Sequence, residues 1–136
     1  MSKKKKVLLI IGIIIVIMII VGSLAGSYLE ANLNKLADMK IADVDLSKIE
    51  DGTYIGTYKV FPVEAIVNVT VNNHIITKID LVKHVTGQGQ DAEVIPSKVI
   101  EIQSLKVDTI SGATYSSKVI LKAIENALKK DYLNKI

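Results

Sequence analysis

The sequence predicts an α+β fold: a small antiparallel sheet with helices on one side, preceded by an N-terminal transmembrane helix. Three observations predict it. An uncharged run from Val7 to Leu29 follows four consecutive lysines, Lys3 to Lys6. Apolar residues then alternate at period two on both sides of Asn72-Asn73, as in a half-buried hairpin, and a later stretch repeats its apolar residues at helical spacing. Strands followed by helices, without regular β-α alternation, favour an antiparallel sheet over a doubly wound one.

The uninterrupted apolar stretch Val7 to Val21, with its uncharged continuation, is long enough to cross a bilayer, which takes about 20 apolar residues. Lysines before the span hold that side in the cytoplasm, so the C-terminal domain is expected outside, in a single-pass cell-membrane topology. A cleaved signal peptide is the competing reading, because Ser23-Leu24-Ala25 offers small residues at a suitable spacing. A lipoprotein site is excluded, since Ser27 stands where a cysteine would be required. The organisation read from the chain is an anchor or uncleaved signal over 1–27, a helical stalk and linker over 28–51, and a domain over 52–136.

Leu29, Leu33 and Leu36 fall at helical spacing in the stalk. Gly52 to Tyr58 joins strand formers to two glycines, predicting a strand with a bulge or a close backbone approach. Ala65, Val67, Val69 and Val71 mark the buried face of the next strand, Asn72-Asn73 a tight turn, and Ile75, Thr77, Ile79 and Leu81 the buried face of a returning strand. His84 to Gln90, with Gly87 and Gly89, reads as a mobile loop. Ile95, Val99 and Ile102 predict a helix with Pro96 in its first turn, and Val107 to Ile110 a short extended piece. From Tyr115 to about Lys130, Ile120, Ala123, Ile124, Ala127 and Leu128 form an apolar stripe, with Lys129 and Lys130 placed to meet the negative end of the helix dipole.

Composition removes several function classes. All 17 basic residues are lysines, four of them ahead of the span, and all 14 acidic residues follow it, leaving the domain side at net −1. That surface gives no electrostatic case for nucleic acid, and the bidentate clamps that arginine makes on phosphate are not available. With no cysteine, disulfides, thiolate iron–sulfur ligation and C-x-x-C-H haem attachment are excluded. Only two histidines, His74 and His84, are present, which is poor material for a metal site. Electron transfer would need an organic cofactor.

The chemistry concentrates in Asp108-Thr109-Ile110-Ser111-Gly112-Ala113-Thr114-Tyr115-Ser116-Ser117, directly before the amphipathic helix. The first amides of a helix lack internal partners and lie at the positive end of its dipole, so they bind anions, phosphate above all. Gly112 and Ala113 leave that approach open, while Ser111, Thr114, Ser116 and Ser117 carry hydroxyls that could cap the helix or bond a phosphate oxygen. Asp108 could orient the loop or simply cap a turn. Lys118 and Lys122 read as the solvated helix face, with Lys118 near enough to the motif to neutralise phosphate charge.

Asp108-x-x-Ser111-Gly112-Ala113-Thr114 resembles the flavinylation motif of the FMN-binding domain family, which includes the C subunit of the sodium-pumping NADH:quinone oxidoreductase and the G subunit of the Rnf electron-transport complexes. Gly52-Thr53-Tyr54-x-Gly56 and His84-x-x-Gly87-x-Gly89 extend the resemblance over about Gly52 to Leu128. The resemblance implies FMN joined through a phosphoester to Thr114, attached by a separate magnesium-using FAD:protein FMN transferase. It further implies an electron carrier working with membrane or extracytoplasmic redox partners, more than a stand-alone enzyme. Tyr54, Tyr58 and Tyr115 are the aromatic candidates to stack on the flavin ring, and His84 is a candidate contact to the ring or its ribityl chain. Two other readings remain open: a module binding FMN or another phosphate ligand without redox turnover, and an interaction subunit whose motif is vestigial.

Overall fold

The computed structural model describes residues 1–133, with side-chain surroundings through Lys129. The Lys130 side chain and residues 134–136 of the expected domain lie outside the described residues. Helix α1 spans Lys3–Asp38 and starts at Ser2, whose hydroxyl accepts the Lys5 amide. Its apolar window has a mean hydropathy of 3.3 and none of it is buried, so by length and composition α1 can cross a membrane. The far end of α1 behaves differently, because Leu36 is fully buried in the domain core. The segment 28–51 thus contributes Leu36 and, further on, Ile49 to that core.

Three strands form an antiparallel sheet in the order β1 (Gly52–Val60), β2 (Val63–Asn72), β3 (Ile75–Val85). Phe61 and Pro62, joined by a cis peptide bond, make the first turn. The second turn is Asn73-His74, one residue later than the sequence predicts, and both residues have left-handed φ, 51° and 62°. Positive φ at both central residues is what a type I′ turn requires, one of the two-residue turns that match the right-handed strand twist. His74 is held there by its ring, whose Nδ1 donates to the carbonyls of Leu46 and Ile49 at 3.1 and 3.0 Å.

On β2 the expected inward face is observed, with Ala65, Val67, Val69 and Val71 all buried. On β3 the expectation fails at the start: Ile75 and Thr77 are exposed and Ile76 is buried instead. The register explains why. Val71 pairs with Ile76 but Thr70 with Lys78, so Thr77 is an extra residue that shifts the alternation by one. Ile79 and Leu81 then face inward as expected, and a second bulge at Val82 shifts the phase again, turning the His84 side chain inward to 2% exposure. The β1–β2 register is unbroken, so of the two options for the glycines of β1 the close approach holds. A Cβ on Gly56 would stand 1.9 Å from the Ala123 carbonyl oxygen.

That contact seats α3 (Thr114–Leu133) across β1 and β2. Its stripe of Ile120, Ala123, Ile124, Ala127 and Leu128 is fully buried, and α2 (Ile95–Ile102) packs against β3 on the same face. Pro96 lies in the first turn of α2, while Ile102, expected on its buried stripe, is exposed. Gln103 ends α2 with φ 55° and hydrogen-bonds both backbone groups of Ile76, closing part of the β3 edge. Val107 to Ile110 joins no strand among the described residues.

Two carboxylates tie the linker down. Glu125 on α3 is buried yet accepts from Lys122 and Lys129 and from the Ala42 amide at 3.2 Å. Burial pushes its carboxyl up, but these bonds outweigh that and hold it below the ordinary range. Asp43 accepts from the Leu105 amide and the Ser104 hydroxyl; here too desolvation opposes and the hydrogen bonds prevail, lowering its pKa.

Candidate functional site

The site grows from the turn before α3. The Ala113 amide donates to the Ile110 carbonyl at 2.9 Å, closing a tight turn in which Gly112 has φ 78°. A side chain is strained at that φ, which accounts for glycine there. Ala113 accepts the first helical bond, from the Ser117 amide, so Thr114 is the first residue of α3. An alanine in the capping position has no side chain to satisfy the first-turn amides. Among the described residues no other side chain caps the amides of Thr114, Tyr115 or Ser116.

Ser117 explains how this uncapped end is kept in shape. Fully buried, its hydroxyl donates to the Ala113 carbonyl at 2.7 Å and accepts from the Ile110 amide at 3.0 Å. The hydroxyl is thereby committed to the turn. Ser116, also buried, donates to Thr86 at 2.9 Å, and the Thr86 hydroxyl accepts the Gly89 amide at 3.0 Å. The glycine loop expected to be mobile is thus bonded to the first turn of α3 through Ser116 and braced internally by the Gly89–Thr86 bond. Gly87 and Gly112 both face open space.

Between this helix start and the loop lies a cleft of about 520 Å³, within the usual range for small-molecule sites. Gly112 to Ser116 form one wall, Thr86 to Gly89 another, and Pro62 and Val63 the floor by the first turn. Leu33 and Ala37 close it from α1. No charged side chain is among the lining residues. An anion entering it would meet the positive end of α3 without carboxylate repulsion.

Of the residues the sequence singles out, the structure gathers Gly112, Ala113, Thr114, Tyr115 and Ser116 at the cleft. Thr114 and Tyr115 are exposed to it, whereas Ser116 is held beneath by Thr86. Ser111 is exposed on the turn and Asp108 on the segment leading to it, and neither lines the cleft. His84 also lies outside it: Nδ1 contacts the Glu93 carboxylate at 3.0 Å, and Nε2 is buried without a hydrogen-bond partner. Tyr54 donates to the Glu50 carbonyl and Tyr58 packs on the core, so only Tyr115 of the three tyrosines reaches the cleft. Lys118, expected near phosphate or in solvent, donates instead to the carbonyls of Ala37 and Met39, a cation at the negative end of α1. Lys122 is paired with Glu125. The contribution of α1 to the cleft was not legible in the sequence, because Leu33 and Ala37 read as ordinary stalk residues.

An uncapped helix start with a left-handed glycine opens onto an uncharged cleft in this α+β domain, an arrangement whose chemistry suits an anionic group. The sequence model of the FMN-binding domain family matches residues 62–129, half of the chain. The chain belongs to that family. No curated protein and no solved structure matches it. The residues present fit FMN: free amides and open glycine space stand where a phosphate would enter, and Tyr115 with the apolar α1 wall offers surface to a flat ring.

Proposed function

We propose that the chain is a membrane-anchored, extracytoplasmic flavoprotein that carries FMN on Thr114 and passes electrons between redox partners. The observation that carries this reading is the position of Thr114: the first residue of α3, exposed, in the cleft wall, next to open space at Gly112. Attachment forms a bond from Thr114 Oγ1 to the FMN phosphorus of FAD. The pyrophosphate bond breaks, AMP leaves, and the hydroxyl proton passes to a base of the magnesium-dependent transferase. The resulting phosphodiester keeps one negative charge at the helix start, where the dipole and free amides stabilise it. Bound FMN supplies one- and two-electron chemistry. The chain's own groups do the rest: Ser117 sets the turn, Ser116 and Thr86 fix the loop, and Tyr115, Leu33 and Ala37 limit the ring's positions. A tether suits a protein facing bulk solvent, because a dissociated flavin would be lost.

Co-expression with the transferase tests the reading. Wild type should gain the mass of FMN less water and stay yellow through denaturation, and Thr114→Ala should do neither. Ser111→Ala should keep the adduct. Dithionite should bleach the bound flavin and air restore it. Colour that washes out on denaturation would favour a non-covalent binding module, and an uncoloured protein beside an active transferase would leave the motif vestigial.

A further inference from the structure

Beyond the cleft, the tip of the β1–β2 hairpin carries an exposed aromatic pair. Phe61 is 56% exposed and Tyr28 of α1 61% exposed, with ring centroids 6.4 Å apart at 33°. A phenylalanine that water reaches costs free energy, and among the described residues more than half of the Phe61 surface stays uncovered. The tip is nonetheless fixed in place: the Asn32 side chain donates to the Phe61 carbonyl at 3.1 Å. The domain therefore presents this ring on the flank of α1.

Helix geometry says what meets the ring. From Val7, just after the last lysine of the cluster, about 20 residues at ~1.5 Å each span a hydrocarbon layer of ~30 Å and end near Gly26. Tyr28 then falls about 3 Å beyond it, at the depth where tyrosine and tryptophan belts collect. The Phe61 ring, its centroid 6.4 Å from that of Tyr28, lies within that distance of the same level. Leu33 and Ala37 follow about 8 to 14 Å further along the same helix.

We propose that Tyr28 and Phe61 form an interfacial seat through which the domain rests on the outer lipid surface, holding the α1 wall of the cleft about 8 to 14 Å beyond the level of Tyr28. The proposal rests on the membrane-anchor reading above. The occupant of this patch is the bilayer interface itself, whose mixed character suits rings that are apolar yet adjacent to polar backbone. Seating would stop the domain from pivoting on α1, and a redox partner would then have to reach the flavin along the membrane surface.

The chain has no tryptophan, so single replacements report without background. The full chain, made without the transferase so that no flavin quenches emission, is reconstituted in phosphatidylcholine vesicles with acyl-brominated lipid. Ile14→Trp, within the span, should be strongly quenched, and Val82→Trp, at the exposed bulge of β3, should not be. Phe61→Trp should lose about half its emission and shift to the blue. Quenching of Phe61→Trp no greater than that of Val82→Trp, with Ile14→Trp still quenched, overturns the seat while sparing the anchor. If Ile14→Trp escapes quenching, the anchor reading falls and the seat falls with it. Phe61→Cys, the chain's sole thiol, carries a nitroxide for a second reading: collision with oxygen should exceed collision with aqueous nickel chelate, and the reverse overturns the proposal.

Discussion

Ser116 and Gly89 meet so closely that a Cβ on the glycine would stand 2.1 Å from the serine hydroxyl oxygen. The same Cβ would lie 2.5 Å from the Thr86 hydroxyl that receives both groups' hydrogen bonds. Loop and helix start are thus one unit, and the cleft between them exists only while they stay joined.

Gly89→Ala should therefore separate the loop from α3. Overpacking of this kind costs about 1 to 3 kcal/mol, so the urea midpoint should fall and flavin incorporation with it. Gly87→Ala, two residues away with nothing within 4 Å of its Cβ, should leave the midpoint close to wild type. Equal losses in both variants would mean that the loop does not depend on the Ser116 contact.

Glu125 makes stability depend on acid. Its folded pKa lies below its unfolded value, so the stability it contributes is fully present above the unfolded value of about 4.3 and is lost as pH falls through the folded one. Glu125→Gln removes that dependence, taking away the charge and one of the two acceptor oxygens that the lysines and the Ala42 amide share. At neutral pH it should cost about 1 to 3 kcal/mol, the lower end being favoured by lysines that can turn to solvent. Denaturation curves from pH 7 to 3 should converge with wild type at the acid end; parallel curves would exclude the carboxylate as the source.

The wall supplied by α1 should be measurable in the cofactor. Ala37 is exposed in the cleft beside buried Leu36, so Ala37→Trp fills space without entering the core. We expect a folded protein, unchanged in melting by more than a few degrees, whose flavin incorporation drops several-fold. Lys118→Met removes the cation from the end of α1 and should cost about 0.3 to 1 kcal/mol, with a smaller effect on incorporation. If Ala37→Trp incorporates flavin like wild type, α1 does not bound the ligand space.

Local pattern sufficed wherever one element's own periodicity decides its burial. The apolar run of α1, the alternation of β2 and the stripe of α3 were all readable, because each presents one continuous face. The turn before α3 was readable for another reason: glycine at positive φ and hydroxyls at a helix start are local chemistry. Pattern failed on β3, where Thr77 and Val82 bulge out. A bulge changes phase in response to the partner strand, and no single-strand periodicity carries that information.

By itself the sequence determined an apolar N-terminal helix, a small antiparallel sheet with helices on one face, and membership of the FMN-binding domain family, whose match spans the motif before α3. Only the tertiary structure decided which hydroxyls are free. Ser116 and Ser117, equivalent to Thr114 by composition, are consumed by Thr86 and by the turn, leaving Thr114 open in the cleft. It also turned His84 inward, drew Lys118 away to α1, and made Leu33 and Ala37 part of the site. The physical reason is the same in each case: a hydrogen bond or a contact between residues distant in the chain is settled by packing, which sequence spacing does not encode.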